Sequence, residues 1–446
     1  MKVLKFGGTS IESENQIRKI VNYLRKLDDD IIVVFSALSG VTNYLSEFFK
    51  QSKEGEYAVA QQMILLIEER HKRIIAGLLQ SQNFKNLALK KLNNSLRFLQ
   101  NVLRQKKWEK KEKEIMIQGE LLSCMVIYLY MLDLGIDTGY LDAFRYMKLD
   151  KSGEPDYKYI QRRLAKEMSC RKGCEIFITN GYICIDNKKK ISNLGRGGSD
   201  YTATIIAKVM DAEKVEIWTD IDGFQNNDPR YVEETFPLRH LSYDEAAELA
   251  YFGAKILHPS SIEPARQSNI PIVIKNSMNF FALGTQINNY PSAKRLTAVA
   301  AKDGITIIKI KSGRMLQAYG FLRKIFEIFE KYKTPVDMLT TSEISVAMTI
   351  DNCTHITGIV EHLKKLGEVE VVYEQSIICI VGDFESQKNI VLGQIIEGLD
   401  SIPVQMMSFG ASRINLSLVV DSENKMEALQ ILNNHLFKTE KCLPVN

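Results

Sequence analysis

The chain has 446 residues, 45% hydrophobic and 25% charged, which suits a globular protein of two or three domains. Its net charge of +4 is nearly balanced and gives no ground for expecting nucleic acid or a membrane surface as partner. No stretch approaches the roughly 20 apolar residues of a membrane span, and the opening residues lack the apolar core of a secretory signal, so no membrane association and a cytoplasmic location are expected.

In chain order, Val3, Leu4 and Phe6 form a short strand pattern that ends in Gly7-Gly8-Thr9-Ser10. Ser13-Glu14-Asn15-Gln16 fits a capping box, and Ile17, Ile20, Val21 and Leu24 follow at helical spacing. Glycines after a strand let backbone N–H groups reach a phosphate, Lys5 supplies charge, and the following helix start adds its dipole. Taken alone, this is equally a plain strand-turn-helix. Residues 30–36 form an apolar run of the kind buried on both faces of a parallel sheet. The small polar residues Ser36 to Asn43 follow it, as ligand contacts or as an ordinary βα loop.

Helical patterns cover 57–80, 85–110 and 120–133, so 57–133 reads as a helical insertion. Within it, Arg104 to Lys113 interleaves Lys with Glu and Trp108, as a solvated helix face does. Glu120 opens the last of these helices; its segment alone favours a carboxylate complementing the helix N-terminus over one that pairs with a ligand ammonium. Cys124, Cys170, Cys174, Cys184, Cys353, Cys379 and Cys442 lack metal-site spacing and read as incidental thiols. No protein-built metal site is expected.

Residues 175–179 and 215–219 are further buried-strand patterns, and 200–210 is helical. Ahead of that helix, Gly195-Arg196-Gly197-Gly198-Ser199-Asp200 surrounds an arginine with three glycines. The guanidinium fork suits a carboxylate or phosphate, and the glycines admit close backbone approach. This density is better explained by function than by folding. Trp218-Thr219-Asp220-Ile221-Asp222-Gly223 runs on to Asp228-Pro229-Arg230, parts that suit a nucleotide with its metal. Ser242-Tyr243-Asp244-Glu245 is a second capping box, opening a helix over 243–252 that ends at Gly253, and Lys255 follows in a turn before His258-Pro259. A last buried strand is predicted at 271–275.

Residues 276–300 are rich in Asn, Ser, Gly and Pro and read as a loop-rich boundary. Beyond them the pattern strand, helix, strand, helix occurs twice, which looks like two copies of a βαββαβ unit. The expected organisation is a catalytic domain over 1–295 and two smaller units over 304–374 and 375–446. The expected fold class is α/β, a layered fold with a mostly parallel sheet, plus two C-terminal ferredoxin-like units.

Two lysines, an arginine, several carboxylates and three glycine-rich turns are the equipment of phosphoryl transfer, which depends on positioning and charge neutralisation. No Gly-x-x-x-x-Gly-Lys-Ser/Thr loop and no protein-kinase His-Arg-Asp or Asp-Phe-Gly motif is present.

Over nearly its whole length the chain resembles the aspartokinases, most nearly the lysine-sensitive monofunctional bacterial type. The resemblance rests on residues 5–10, 119–121, 195–200, 218–220, 228–230 and 252–259, in that order. It implies an amino-acid-kinase fold with tandem ACT domains, ATP and L-aspartate as substrates, Mg²⁺ carried with the nucleotide, and L-lysine as effector. It implies that Lys5 contacts the transferring phosphoryl group, that Gly7, Gly8 and Ser10 form the phosphate turn, and that Asp200 organises the catalytic lysine. Arg196 would bind the aspartate α-carboxylate and Glu120 its ammonium, with Ser36, Thr42, Gly197 and Ser199 completing the substrate site. Thr219, Asp220, Arg230 and Lys255 would bind ATP, with Lys255 also catalytic. The effector site would take in Met315, Phe321, Leu322, Val336, Asp337, Thr341, Ser342 and Glu343. A homodimer or homotetramer formed through the ACT region is implied, and the length leaves no room for a homoserine dehydrogenase region. Gln225, Ala318 and Pro335 depart from the residues common in relatives and bear on base packing and effector response. Kinases of glutamate, carbamate or nucleotides, and a catalytically silent amino-acid sensor, are the alternatives. Arg196 with Glu120 argues against the first, and the intact Lys5, Arg196, Asp200 and Lys255 against the second.

Overall fold

The computed structural model describes residues 1–27, 29–106, 108–171, 173–253, 256–290, 296–313, 319–384 and 388–437, with the side chains of 388–390 excepted. The chain divides into two compact units, one of residues 1–224 and 256–289, the other of residues 225–255 and 290–446.

In the first unit, seven described strands lie in the order Thr138–Leu141, Ile176–Asn180, Ile31–Phe35, Lys2–Phe6, Lys214–Thr219, Ile272–Asn276, Thr285–Asn288. All neighbouring pairs are parallel except the last. Ile31–Phe35 is buried at every position, as its unbroken apolar run predicts for a strand covered on both faces. Order reverses at Lys2–Phe6, with the next strand in sequence on one side and Lys214–Thr219 on the other. In open α/β sheets a crevice forms at such a reversal.

The predicted insertion is helical: Tyr57–Leu78, Gln82–Gln105 and Gln118–Asp133 share one apolar core with the sheet. The absence of a span-like apolar stretch needs correcting. The helical run Glu109–Asp133 is long enough and reaches a mean hydropathy of 1.7. Two thirds of that window is buried inside the unit (67%), so packing against the sheet accounts for its apolar residues. Strand Thr138–Leu141, helix Tyr157–Ser169 and hairpin Ile183–Ile185 with Ile191–Asn193 were not predicted. The strands among these are only three or four residues long, too short for a visible period. The expected loop-rich stretch 276–300 holds strand Thr285–Asn288 and the start of Leu296–Lys311.

In the second unit, one antiparallel sheet runs Leu339–Thr341, Ser345–Ile350, Leu296–Lys311, Glu368–Gly382, Asn415–Asp421, Val404–Phe409. Its two central strands are long, and their pairing shifts register near Lys302 to Ile307, which divides the sheet into halves. One half packs helices Phe321–Lys331 and Ile356–Leu363 over Ile308, Ile310, Val346 and Met348. The other packs Lys388–Gly398 and Lys425–Phe437 over Val299, Ile378, Ile380, Leu416 and Leu418. The first half is a continuous βαββαβ unit from residue 305. The second takes its last strand from upstream, because Leu296–Lys302 pairs with Ile377–Gly382. Position 375 therefore lies inside a strand, and residues 225–255, placed by sequence within 1–295, cluster with this unit.

Candidate active site

Parallel register brings the C-terminal ends of the central strands level: Phe6 lies beside Phe35 and Trp218, Phe35 beside Asn180, and Thr219 beside Asn276. The motif loops of the first unit leave from that edge.

Lys5, on the central strand, is buried, and its Nζ lies 2.5 Å from Asp200 Oδ1, each side chain being 11% exposed. Asp200 reaches it from the first turn of helix Gly198–Met210. The pair keeps a fixed cation at the strand end, of the kind that stabilises charge developing on an anionic group. Gly7 N–H donates to the Trp218 carbonyl at 3.2 Å. At Gly8 a Cβ would lie 2.9 Å from the Ala37 carbonyl oxygen, so only glycine lets this turn pass the 36–40 loop.

The helix opens where the sequence places it: Ser13 caps helix Glu14–Leu24 by accepting from the Gln16 N–H, and a 3₁₀ turn, Thr9–Ile11, separates it from the glycines. The helix dipole is therefore displaced from the turn, because it acts over about one turn only. Ser10 is buried, and its hydroxyl donates to the Trp218 carbonyl at 3.2 Å.

Glu120 lies in the first turn of helix Gln118–Asp133 and is 5% exposed. Burial pushes its carboxyl up to about 8, although the backbone N–H groups of Glu120 and Ala37 oppose the shift. Its Oε2 has no hydrogen-bond partner. A buried carboxylate oxygen left open in this way is what a ligand ammonium would satisfy. Two residues that sequence reasoning passed over hold the arrangement: Asn180 Nδ2 donates to the Glu120 carbonyl at 2.9 Å, and Ser123 Oγ to the Ser36 carbonyl at 2.6 Å. Asn180 could have been found as the polar end of a buried strand. Ser36 is half-buried, and its N–H donates to the Phe6 carbonyl, whereas Thr42 is exposed on helix Val41–Glu54.

Gly197 caps helix Gly198–Met210 with φ +68°, and a Cβ there would lie 2.4 Å from His258 Cβ. Two constraints thus require glycine. Arg196 is exposed beside it, and Ser199 is half-buried in the first turn of the helix. Burial first, and the Arg196 charge next, hold His258 below the ordinary imidazole value. Thr219 ends its strand, with its hydroxyl 3.0 Å from the exposed Asp220 carboxylate.

Lys5, Gly7, Gly8, Ser36, Glu120 and Asp200 are thus brought together, with Arg196 to Ser199 leading into Asp200. Arg230 belongs to the other unit and is forked onto Asp228, 2.6 Å at the closest contact. Lys255 lies outside the described residues.

Among the effector-site residues, Met315 and the departing Ala318 also lie outside the described residues. Phe321 is buried in the core of the first βαββαβ half, with Val336 packed against it, and Leu322 is 37% exposed. The Asp337 side chain is 1% exposed and Pro335 is exposed. Thr341, Ser342 and Glu343 are exposed, and Ser342 Oγ lies 2.7 Å from Ser345 Oγ. Gln225 bridges Pro237 in the second unit.

Residues 1–276 match the amino acid kinase family, and residues 378–436 match an ACT domain. Aspartokinase 2, chloroplastic, from Arabidopsis thaliana is 31% identical over 98% of this chain and 84% of its own length. Lysine-sensitive aspartokinase 3 of Escherichia coli is 29% identical over 98% of this chain and 99% of its own. The crystal structure of E. coli aspartokinase III in complex with aspartate and ADP superposes with a TM-score of 0.88 at 28% identity, covering 98% of this chain and 100% of that one. Together with the buried Lys5–Asp200 pair of the first unit, these matches establish that the chain belongs to the aspartokinases, within the amino acid kinase family.

Proposed function

We propose that the chain transfers the γ-phosphoryl group of ATP to the β-carboxylate of L-aspartate, giving 4-phospho-L-aspartate and ADP. The observation that carries this is the buried Lys5–Asp200 pair in the same unit as the buried Glu120, whose carboxylate oxygen is left open. The aspartate and ADP held by the E. coli relative support the same substrates here. The nucleophile needs no enzyme base, since an aspartate side chain with a pKa near 4 is ionised at neutral pH. A carboxylate oxygen bonds to the γ-phosphorus as the bond to the β,γ-bridging oxygen breaks, and ADP leaves with that electron pair. Lys5 neutralises charge on the transferring group, and Asp200 fixes the lysine. Glu120 receives the substrate ammonium, Arg196 forks onto the α-carboxylate, and Ser36, Thr42, Gly197 and Ser199 complete the substrate site. Gly7, Gly8, Ser10, Thr219, Asp220, Arg230 and Lys255 serve the nucleotide. Mg²⁺ arriving with ATP would be held mostly by phosphate oxygens and water, as is usual for that ion.

The proposal extends to control. The reaction would open lysine, threonine, methionine and diaminopimelate synthesis, with L-lysine inhibiting through Met315, Phe321, Leu322, Val336, Asp337 and residues 341–343. The lysine-sensitive E. coli relative supports that effector. Assembly as a homodimer or homotetramer through the ACT region is supported by exposed Tyr319, Phe326 and Ile344. A cytoplasmic location is supported by the six described cysteines, all free thiols. The test is ADP release with Mg²⁺ and ATP, with and without L-aspartate, repeated with L-lysine. Turnover that requires aspartate and falls with lysine supports the whole proposal. Turnover on L-glutamate but not L-aspartate overturns the substrate.

A further inference from the structure

Residues 225–255 carry Arg230 of the nucleotide assignment, yet they are built into the C-terminal unit at two places. The first is a buried amide cluster. Asn226 Nδ2 donates to Asn433 Oδ1 at 3.0 Å, Asn227 Nδ2 donates to the Leu429 carbonyl at 3.3 Å, and Asn433 Nδ2 donates to the Glu234 carbonyl at 3.2 Å. The Val299 N–H donates to the Asn226 carbonyl at 2.8 Å, and Val232 is buried in the same apolar core. Nothing in this cluster is charged, so a small ionic ligand has no purchase on it.

The second place is different. Tyr251, in the last turn of helix Tyr243–Phe252, donates its hydroxyl to Asp337 Oδ1 at 2.5 Å. The same oxygen lies 3.1 Å from Lys302 Nζ, which also pairs with Asp351 at 2.9 Å and sits 4.6 Å from the centre of the Tyr251 ring. The Asp337 side chain is 1% exposed, and its Oδ2 has no hydrogen-bond partner. Asp337 is thus an acceptor shared by an internal ammonium and a phenol. A second cation drawn to the open Oδ2 pulls the carboxylate charge away from Oδ1 and weakens its hold on both donors. Lys302 has Asp351 to fall back on, whereas among the described residues the Tyr251 hydroxyl has no second acceptor.

We propose that Tyr251 is a positioning residue through which a cationic amino acid at Asp337 acts on residues 225–255, and so on the Asp228–Arg230 turn. This rests on the reading that the effector contacts Asp337. The amide cluster at Asn433 is the fixed end of the segment, and the Tyr251–Asp337 bond is the end that responds.

The experiment compares wild type with Tyr251→Phe in the full-length protein, with L-lysine as probe. The phenylalanine keeps the ring beside Lys302 and removes only the hydroxyl. Uninhibited kcat and KM stay within about two-fold, lysine binding by calorimetry stays within about three-fold, and half-inhibition requires at least about five-fold more lysine, the lower end of ordinary allosteric coupling. A Tyr251→Phe inhibition curve that superimposes on an inhibited wild type overturns the proposal. Lysine that neither binds nor inhibits wild type overturns the effector reading instead. The tie is then decided without effector, by hydrogen–deuterium exchange in the same two proteins. Faster exchange in residues 243–252 of Tyr251→Phe supports it, and identical exchange in 225–237 and 243–252 overturns it.

Discussion

Glu120 offers the sharpest test of the substrate site, because burial and ligand binding pull its proton in opposite directions. With its carboxyl pushed up to about 8, the free enzyme holds Glu120 neutral at pH 7. An ammonium ligand requires the carboxylate, so aspartate binding below pH 8 must release that proton. The kcat/KM for aspartate should then rise about ten-fold per pH unit on the acid side and level off above about 8. Between pH 6.5 and 8.5 the expected gain is about 25-fold. The assay is initial-rate ADP release at saturating MgATP across that range, with calorimetry in two buffers of different ionisation enthalpy to count the proton. Glu120→Gln should flatten the acid limb and lower the alkaline plateau by roughly 10–100-fold, through loss of a charge-assisted hydrogen bond. Folding gives an independent check. The raised carboxyl makes the folded protein the stronger proton binder between about 4.5 and 8. Its contribution is fully present below 4.5 and is lost by about 1.4 kcal/mol per pH unit as pH rises through that window. Glu120→Gln should therefore gain in relative thermal stability as pH increases. A kcat/KM that does not change from pH 6.5 to 8.5, or an acid limb that survives in Glu120→Gln, would refute the reasoning.

Lys5→Ala should abolish aspartate-dependent turnover while leaving lysine binding intact, and it should lower stability by about 3–5 kcal/mol because Asp200 keeps a buried, unpaired charge. Substantial residual turnover would remove Lys5 from its role. Gly8→Ala places a Cβ 2.9 Å from the Ala37 carbonyl oxygen and should cost about 1–3 kcal/mol in denaturant unfolding, with a raised KM for aspartate as the 36–40 loop moves. An unchanged unfolding midpoint would contradict the close approach. Asn433→Ala removes the acceptor for the buried Asn226 amide and should cost about 1–3 kcal/mol. It should also raise KM for ATP by loosening the segment that carries Arg230, and a KM unchanged in a destabilised variant would separate the anchor from nucleotide binding.

The layered α/β plan was legible because its evidence is local. The unbroken run ending at Phe35, the glycines after Phe6, the capping box at Ser242 and the helical spacing from Phe321 each reflect a preference of a short segment, and each element forms. The same holds for the motif residues: Lys5, Arg196 and Asp200 declare themselves by chemistry that folding alone does not demand. By itself, then, the sequence determined the longer elements, their alternation and the inventory of charged and glycine-rich turns, but not the strands of three or four residues or helix Tyr157–Ser169. Tertiary structure decided which of these meet. Glu120 reads as a helix-start carboxylate until the fold buries it beside Ala37 and leaves one oxygen open. The second ACT-like half borrows Leu296–Lys302 from 75 residues upstream of its partner strand, which no period along the chain records. Residues 225–255 join the C-terminal unit through Asn433 and Asp337, far away in sequence. Burial, strand pairing across long loops and shared hydrogen-bond acceptors depend on where the chain returns to itself, and that is fixed only when the whole core is packed.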